Sequence, residues 1–420
     1  MVSIREETLL PKGGLNKIGP PRATDTELGE TTNPSNAALK AQTLLRLDES
    51  LRQSLAAVYD GRLNSVVASL GGMGPRYYFR LNDLAGSQLD TLESMRNGGL
   101  EAGSHERVID AGYLPVREST IPLSEMRVQA DRFAAEAVMQ GAHLYARGVR
   151  NCKKLKAGMS VTVVDPSGTP VGSGIARQSE TSILRYHQGI AVEILHSRFL
   201  LPHMRETSWY AAGLIHLQSL PAMVTCHVLD PKPDEVVVDL NCAPAGKMSY
   251  LCQLTKNKAR IIGFDRNEEK IEKAREHLER LRCENYQLIA HDSRYAHLDY
   301  KFNADRVLVD PPCTGLGVMP KLSIETTKKD IENLSSYQKQ FMTTAAALVK
   351  EGGTVVYSVC TVTGEECEEV ATFAEEKLGL VKVAASPLVG RSGLDSERLT
   401  QRFDPELDGA GYFIARFVKR

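Results

Sequence analysis

The sequence predicts an α/β protein: a doubly wound parallel sheet fills the carboxyl-terminal half, preceded by a small β-rich domain and a small α+β amino-terminal domain. Three observations carry this reading. From about Val236, short β-branched or aromatic runs (Val236 to Val238, Ile261 to Phe264, Tyr286 to Ala290, Arg306 to Val309, Thr354 to Tyr357) alternate with helical segments. Strands with no polar face are buried on both sides, as they are when helices cover both faces of a parallel sheet. In Glu268 to Arg282, the apolar Ile271, Ala274, Leu278 and Leu281 share one helical face, while Glu269/Lys273 and Glu276/Arg280 stand at i,i+4. The length of 420 residues, at roughly 100–200 residues per domain, leaves room for two or three domains.

Taken in order, residues 1–36 are rich in Gly, Pro, Thr and Asn and read as a poorly ordered leader. Residues 37–118 are expected to form the α+β domain. Leu44, Leu45, Leu47, Leu51, Leu55 and Val58 give an amphipathic helix over Ala37 to Tyr59, and Tyr77 to Asn82 a strand. Residues 119–196 form the β-rich domain. There Glu125 to Gln140 reads as a helix stopped by Gly141, and Ser160 to Val164 and Pro170 to Ala176 read as strands joined through Asp165-Pro166-Ser167-Gly168. Residues 197–420 hold the doubly wound sheet.

Composition excludes several classes. With 51 Lys+Arg against 52 Asp+Glu, the net charge of −1 rules out a protein coated in positive charge, but not a local basic surface. A 42% apolar share with 25% charged residues suits a folded globular chain. No stretch approaches the roughly 20 apolar residues of a membrane span, and Met1 to Leu15 lacks a signal-peptide apolar core. The eight cysteines form no CxxC pair, so no metal site follows from their spacing, and reduced thiols in a cytoplasmic protein are expected.

In a doubly wound sheet, ligands bind beyond the carboxyl ends of the strands, where strand order reverses. The first such end gives Asp239-Leu240-Asn241-Cys242-Ala243-Pro244-Ala245-Gly246-Lys247, a small-residue turn into a helix. The second ends in Asp265, close to the roughly 20-residue offset at which an acid meets a ribose. Asp292 follows the third. The fourth ends in Asp310-Pro311-Pro312-Cys313-Thr314-Gly315, and the fifth in Ser358-Val359-Cys360-Thr361. Without GxGxxG, a dinucleotide is disfavoured; an adenosine ligand with a compact charged tail, S-adenosylmethionine, fits better. Cys152, Cys226, Cys252, Cys283 and Cys367 read as small buried hydrophobes. The stretch His143 to Val164 holds Arg147, Arg150, Lys153, Lys154 and Lys156 without an acid, a phosphate-binding patch beside which Tyr145 can stack on an unpaired base. The competing reading is a solvated basic loop with Tyr145 in the core.

Asp310 to Gly315 together with Tyr357 to Thr361 resembles the paired motifs of the Nop/Sun family of RNA cytosine carbon-5 methyltransferases, from roughly Trp209 to the carboxyl terminus and including Leu217 to Pro221. Asp239 to Lys247 resembles that family's cofactor loop, with Asn241 and Cys242 in place of Cys-Ala, Ala245 in place of the first Gly of a pair, and Val359 in place of Thr. Gly141 to Val149, Leu155 to Met159 and the following hairpin resemble a PUA domain, an RNA-binding module; Gln401 to Pro405 and Gly411 to Lys419 fit the branch that methylates cytosine 72 (tRNA numbering) in the acceptor stem. The resemblance implies a Rossmann-like S-adenosylmethionine methyltransferase domain, with Cys360 as the nucleophile, Cys313 in the release step, and Asp310 and Lys247 managing charge on the base. It implies cofactor contacts from Asn241, Cys242, Ala243, Pro244, Ala245, Gly246 and Lys247, with Asp265 on the ribose, Asp292 near the adenine, and Asp310. The implied partner is tRNA, at its acceptor stem and 3′ end; no metal, membrane or obligate protein partner is implied. A catalytically impaired RNA-binding scaffold and an enzyme acting on another RNA, such as rRNA, are the alternatives.

Overall fold

The computed structural model describes residues 45–420. The 1–36 leader and the start of the helix expected over Ala37 to Tyr59 lie outside them. Within them that helix runs Glu49–Tyr59, opened by Asp48, whose side chain accepts the Ser50 backbone N–H, and it buries Leu51, Leu55 and Tyr59. The strand Arg76–Leu81 sits inside a four-stranded antiparallel sheet, between Ala111–Pro115 and Ile215–Leu217. The last of these comes from beyond residue 197. Phe79, Leu81 and Ile215 are buried in one apolar cluster, which is why the returning chain adds its strand here.

The helix expected over Glu125 to Gln140 is shorter. Arg127–Ala130 is a strand paired in parallel with Ser160–Val164, and the helix is Arg132–Met139. Two local features decide this. Val128 and Ala130 are buried on alternate positions, the two-residue period of a strand, and Asp131 Oδ1 accepts the Ala134 N–H at 2.8 Å, which starts the helix there. With Pro170–Ala176, Ile190–Ser197, Leu144–Tyr145 and Val149–Asn151, these strands make a six-stranded sheet.

The carboxyl-terminal sheet has five parallel strands: β1 (Val236–Asp239), β2 (Arg260–Asp265), β3 (Tyr286–Ala290), β4 (Ala304–Val309) and β5 (Val349–Val359). Their spatial order is β3-β2-β1-β4-β5. The chain runs outward from β1 to β3, then returns to lay β4 on the other side of β1, so the reversal point lies between β1 and β4. Beyond β5 the sheet continues through the antiparallel Tyr412–Lys419. One apolar cluster covers each face, as the uninterrupted apolar runs require. In the helix Glu268–Arg280 the expected Glu276/Arg280 pair is not made. Arg280 turns inward and donates to the carbonyl oxygens of Tyr210 (2.6 Å) and Ile215 (3.3 Å) while lying over the Tyr210 ring. Among the described residues no helix is long and apolar enough to cross a membrane.

Candidate active site

The loop after β1 is pinned to its neighbours: Leu240 N–H donates to Leu308 O (3.0 Å) on β4, and Cys242 N–H to Phe264 O (2.8 Å) on β2. Asp239 is buried beneath it and accepts the Asn241 N–H at 3.1 Å; burial pushes its carboxyl up to about 7. The loop closes at Ala245, with φ +70°, and Gly246 opens the helix Gly246–Leu254. An L-residue in this left-handed region carries strain of about 1–2 kcal/mol, against an entropy cost of about 0.5–1 kcal/mol for glycine. Ala245→Gly is therefore expected to raise stability by up to about 1 kcal/mol in a urea titration. A loss would show that packing of the buried Ala245 methyl outweighs the strain.

The side chains of this loop do not all face a ligand. Cys242 is buried in the core against Gly263, and Ala245 is fully buried, so these two offer a ligand only their backbone. Asn241 Oδ1 is buried without a partner among the described residues, an acceptor that a ligand's hydroxyl or ammonium can satisfy. At the end of β2, Asp265 Oδ1 accepts the Asn267 N–H at 3.0 Å, which leaves its second oxygen for a ribose. Asp292, after β3, is clasped by the Arg294 guanidinium (Nε to Oδ1 2.9 Å), which holds its carboxyl below the usual range. That clasp is a partner the sequence reading lacked. An orphaned acceptor and an open carboxylate along one strand-end row fit S-adenosylmethionine.

The ends of β4 and β5 converge. Asp310 Oδ2 accepts from Lys247 Nζ at 2.5 Å, and Oδ1 from Ser358 Oγ at 2.8 Å and Tyr412 OH at 3.2 Å. Burial opposes the charge on Lys247, but Asp310 and Tyr412 outweigh it and hold the amine well above its ordinary range. Cys313 Sγ and Cys360 Sγ stand 3.4 Å apart. The hydrogen bond from Cys313 lowers the pKa of Cys360 against the effect of burial, with Lys247 helping and Asp310 opposing; the same bond, with burial, raises Cys313. These directions favour the thiolate at Cys360 and the thiol at Cys313. The other six cysteines are free and buried, as the sequence reading expected of Cys152, Cys226, Cys252, Cys283 and Cys367 but not of Cys242.

Lys247, Asp310, Cys360 and Tyr412 line a cleft of about 450 Å3, whose far wall includes Tyr78 from the amino-terminal sheet and Gln140 from the β-rich domain. Ser358 and Tyr412, which complete the Asp310 site, were not singled out from sequence, although both lie in stretches that carried the resemblance.

In the β-rich domain Arg147, Arg150, Lys153, Lys154 and Lys156 are all exposed, and Tyr145 is 56% exposed, which overturns the reading that placed it in the core. Arg127, Gln129, Asn151 and Lys153 line a recess of about 290 Å3 beside this patch. His143, His203 and Glu206 also cluster. His143 Nδ1 accepts the Ile194 N–H at 3.1 Å, so the neutral ring carries its proton on Nε2, which faces Glu206 Oε1 at 3.3 Å. With both nitrogens so engaged, the ring has no lone pair for a metal.

A doubly wound sheet with this cofactor loop, bearing an RNA-binding module ahead of it, defines an S-adenosylmethionine-dependent RNA methyltransferase. The family model described as 16S rRNA methyltransferase RsmB/F matches residues 226–418, and the PUA domain model matches residues 126–198. The chain is 36% identical over 368 residues to the tRNA (cytosine(72)-C(5))-methyltransferase of Pyrococcus horikoshii, covering 85% of this chain and 92% of that protein. It is 28% identical over 346 residues to tRNA (cytosine(72)-C(5))-methyltransferase NSUN6 of Mus musculus, covering 67% and 72%. The crystal structure of NSun6 from Pyrococcus horikoshii with SFG is similar at a TM-score of 0.81 and 34% identity, covering 89% of this chain and 98% of that one. The chain belongs to the Nop/Sun family of RNA cytosine carbon-5 methyltransferases.

Proposed function

We propose that this protein methylates carbon 5 of cytosine 72, near the 3′ end of the tRNA acceptor stem, through a transient bond between Cys360 and carbon 6 of the base. The observation that carries the reading is that Cys360, which lines the cleft with Asp310 and Lys247, stands 3.4 Å from a second thiol, Cys313. The activities for which the two relatives above are named suggest the substrate.

Carbon 5 of cytosine is a poor nucleophile. Addition of the Cys360 thiolate to carbon 6 makes an enamine, which splits one hard step into easier ones. Asp310 faces the base as it gains charge, holding or supplying a proton at N3, and Lys247 balances the carboxylate. When bound, S-adenosylmethionine supplies an electrophilic methyl group, held by the Asn241–Lys247 loop and by Asp265. Cys313 then serves the release step, in which a general base takes the carbon 5 proton, the freed electron pair restores the carbon 5–carbon 6 double bond, and Cys360 departs as thiolate. The base must leave its stack to reach this cleft.

The basic patch of the PUA domain supplies the grip on the 3′ end. Replacing Lys153 and Lys154 by alanine is expected to weaken tRNA binding and to reduce the slope of log affinity against log salt by about 1.4 to 1.8, at about 0.7–0.9 per phosphate contact. Unchanged affinity at moderate salt would remove the patch from the interface. The work of such an enzyme lies in the reducing cytoplasm and calls on no membrane, metal or obligate protein partner. Mapping 5-methylcytidine in tRNA and rRNA incubated with the protein and S-adenosylmethionine tests the reading. Methyl transfer at cytosine 72 is the expected result; modification of rRNA instead would reassign the substrate, and no transfer to any RNA would favour a binding scaffold.

A further inference from the structure

Glu366 is a fully buried carboxylate with no ion pair among the described residues, and the chemistry above makes no use of it. Five groups surround it. Oε1 accepts the Thr314 N–H at 2.9 Å and Gln338 Nε2 at 3.0 Å. Oε2 accepts Thr314 Oγ1 at 2.6 Å and Thr363 Oγ1 at 3.1 Å, and lies 3.2 Å from Thr361 Oγ1. The Thr314 and Thr361 hydroxyls are themselves 2.7 Å apart. A carboxylate can be buried without a cation when donors of this number satisfy its lone pairs.

Thr314 is the neighbour of Cys313 and Thr361 the neighbour of Cys360. We propose that Glu366 is a positioning residue that decides which thiol is the nucleophile: one buried carboxylate gathers the two cysteine-bearing loops and sets how the thiols meet. Gln338, which also donates to Pro312 O at 3.1 Å, fastens the same carboxylate to the stretch before Cys313. The charges are placed unevenly. Glu366 acts on Cys313 and favours its protonated form, whereas Asp310 and Lys247 act on Cys360 in opposite senses. Tyr412, Lys321 and Tyr357 are further titratable groups beside the pair. The charges around Cys313 thus favour the proton there, and those around Cys360 leave it the better thiolate.

This role rests on the two-thiol reading of the site, so its test is read without RNA as well as with it. The full chain is alkylated with iodoacetamide across pH 6–9 and the labelled cysteine is identified by peptide mass; the other six thiols are buried. The parent should label at Cys360 with little at Cys313. Glu366→Gln, which places an N–H2 among donors and removes the charge, should bring labelling of Cys313 to within about threefold of Cys360, and lower kcat at least tenfold with KM for tRNA within twofold. Glu366→Asp, which keeps the charge, should restore most of the preference for Cys360. If Glu366→Gln does not fold, Thr361→Val, which removes one of the five groups, should shift the labelling ratio in the same direction by twofold or more. Labelling confined to Cys360 in whichever variant folds overturns the proposal, whatever RNA the protein turns out to methylate. A changed ratio in a protein that methylates no RNA would leave Glu366 in its role and remove the two-thiol chemistry instead.

Discussion

Cys313→Ala should accumulate a denaturation-resistant RNA–protein band, whereas Cys360→Ala should form none and lose methyl transfer by a factor on the order of 10^3 or more, as removal of a nucleophile does. The expectation follows from the unequal surroundings of the two thiols: their mutual contact and Lys247 favour the thiolate at Cys360, whereas burial and Glu366 favour the thiol at Cys313. The same geometry fixes a pH dependence. In Cys313→Ala the bond that lowers Cys360 is gone and burial, which raises it, remains, so its pKa moves up. Adduct formation in that variant should then depend more steeply on rising pH between 7 and 9 than methyl transfer by the parent does. Gel-shift time courses at several pH values read both effects. Swapped behaviour of the two variants would exchange their roles, and the absence of an adduct from both would end the covalent mechanism.

Glu368→Ala should destabilise the fold by about 3 kcal/mol, the lower end of the range for breaking a buried ion pair. Arg402, on the strand Gln401–Phe403, is fully buried, and its guanidinium meets both oxygens of Glu368, with Nε at 2.7 Å from Oε1. Its other partner is Val362 O at 3.1 Å, and it lies over the Phe413 ring. Removing Glu368 strands this charge among apolar neighbours. The low end applies because the Glu368 side chain is 18% exposed, so water can reach the vacated position. A urea titration measures the loss. The double variant Glu368→Leu/Arg402→Met, which removes both charges, should recover most of it; a double variant as unstable as the single one would show that shape rather than charge holds this corner.

The parallel sheet was legible because each strand carries a short apolar run and the helix Glu268–Arg280 keeps a clean apolar stripe. Cys313, Cys360, Asp310 and Lys247 were legible because each falls at a strand end or loop that the sheet brings to the reversal point. Glu366 was not: among Glu365, Glu368 and Glu369 it reads as part of a solvated acidic run, and only the fold shows that five donors close over it. Asp292 was placed correctly at the end of β3, but its clasp by Arg294 depends on a 3-10 turn, Ser293–Tyr295, that carries no periodic signal. The strand Arg127–Ala130 was taken into the helix because four residues give too short an alternation to compete with the helical pattern after it.

The edge strand Ile215–Leu217 makes the architecture less divisible than its sequence suggests. A chain cut after the PUA module would keep every reactive side chain, yet forfeit the hydrogen-bonded neighbour of that strand and the wall of the cleft that Tyr78 and Gln140 provide. Chemistry and recognition here share masonry, so an isolated catalytic half is expected to be a poor stand-in for the whole, and swapping RNA-binding modules between relatives calls for moving the amino-terminal sheet along with them.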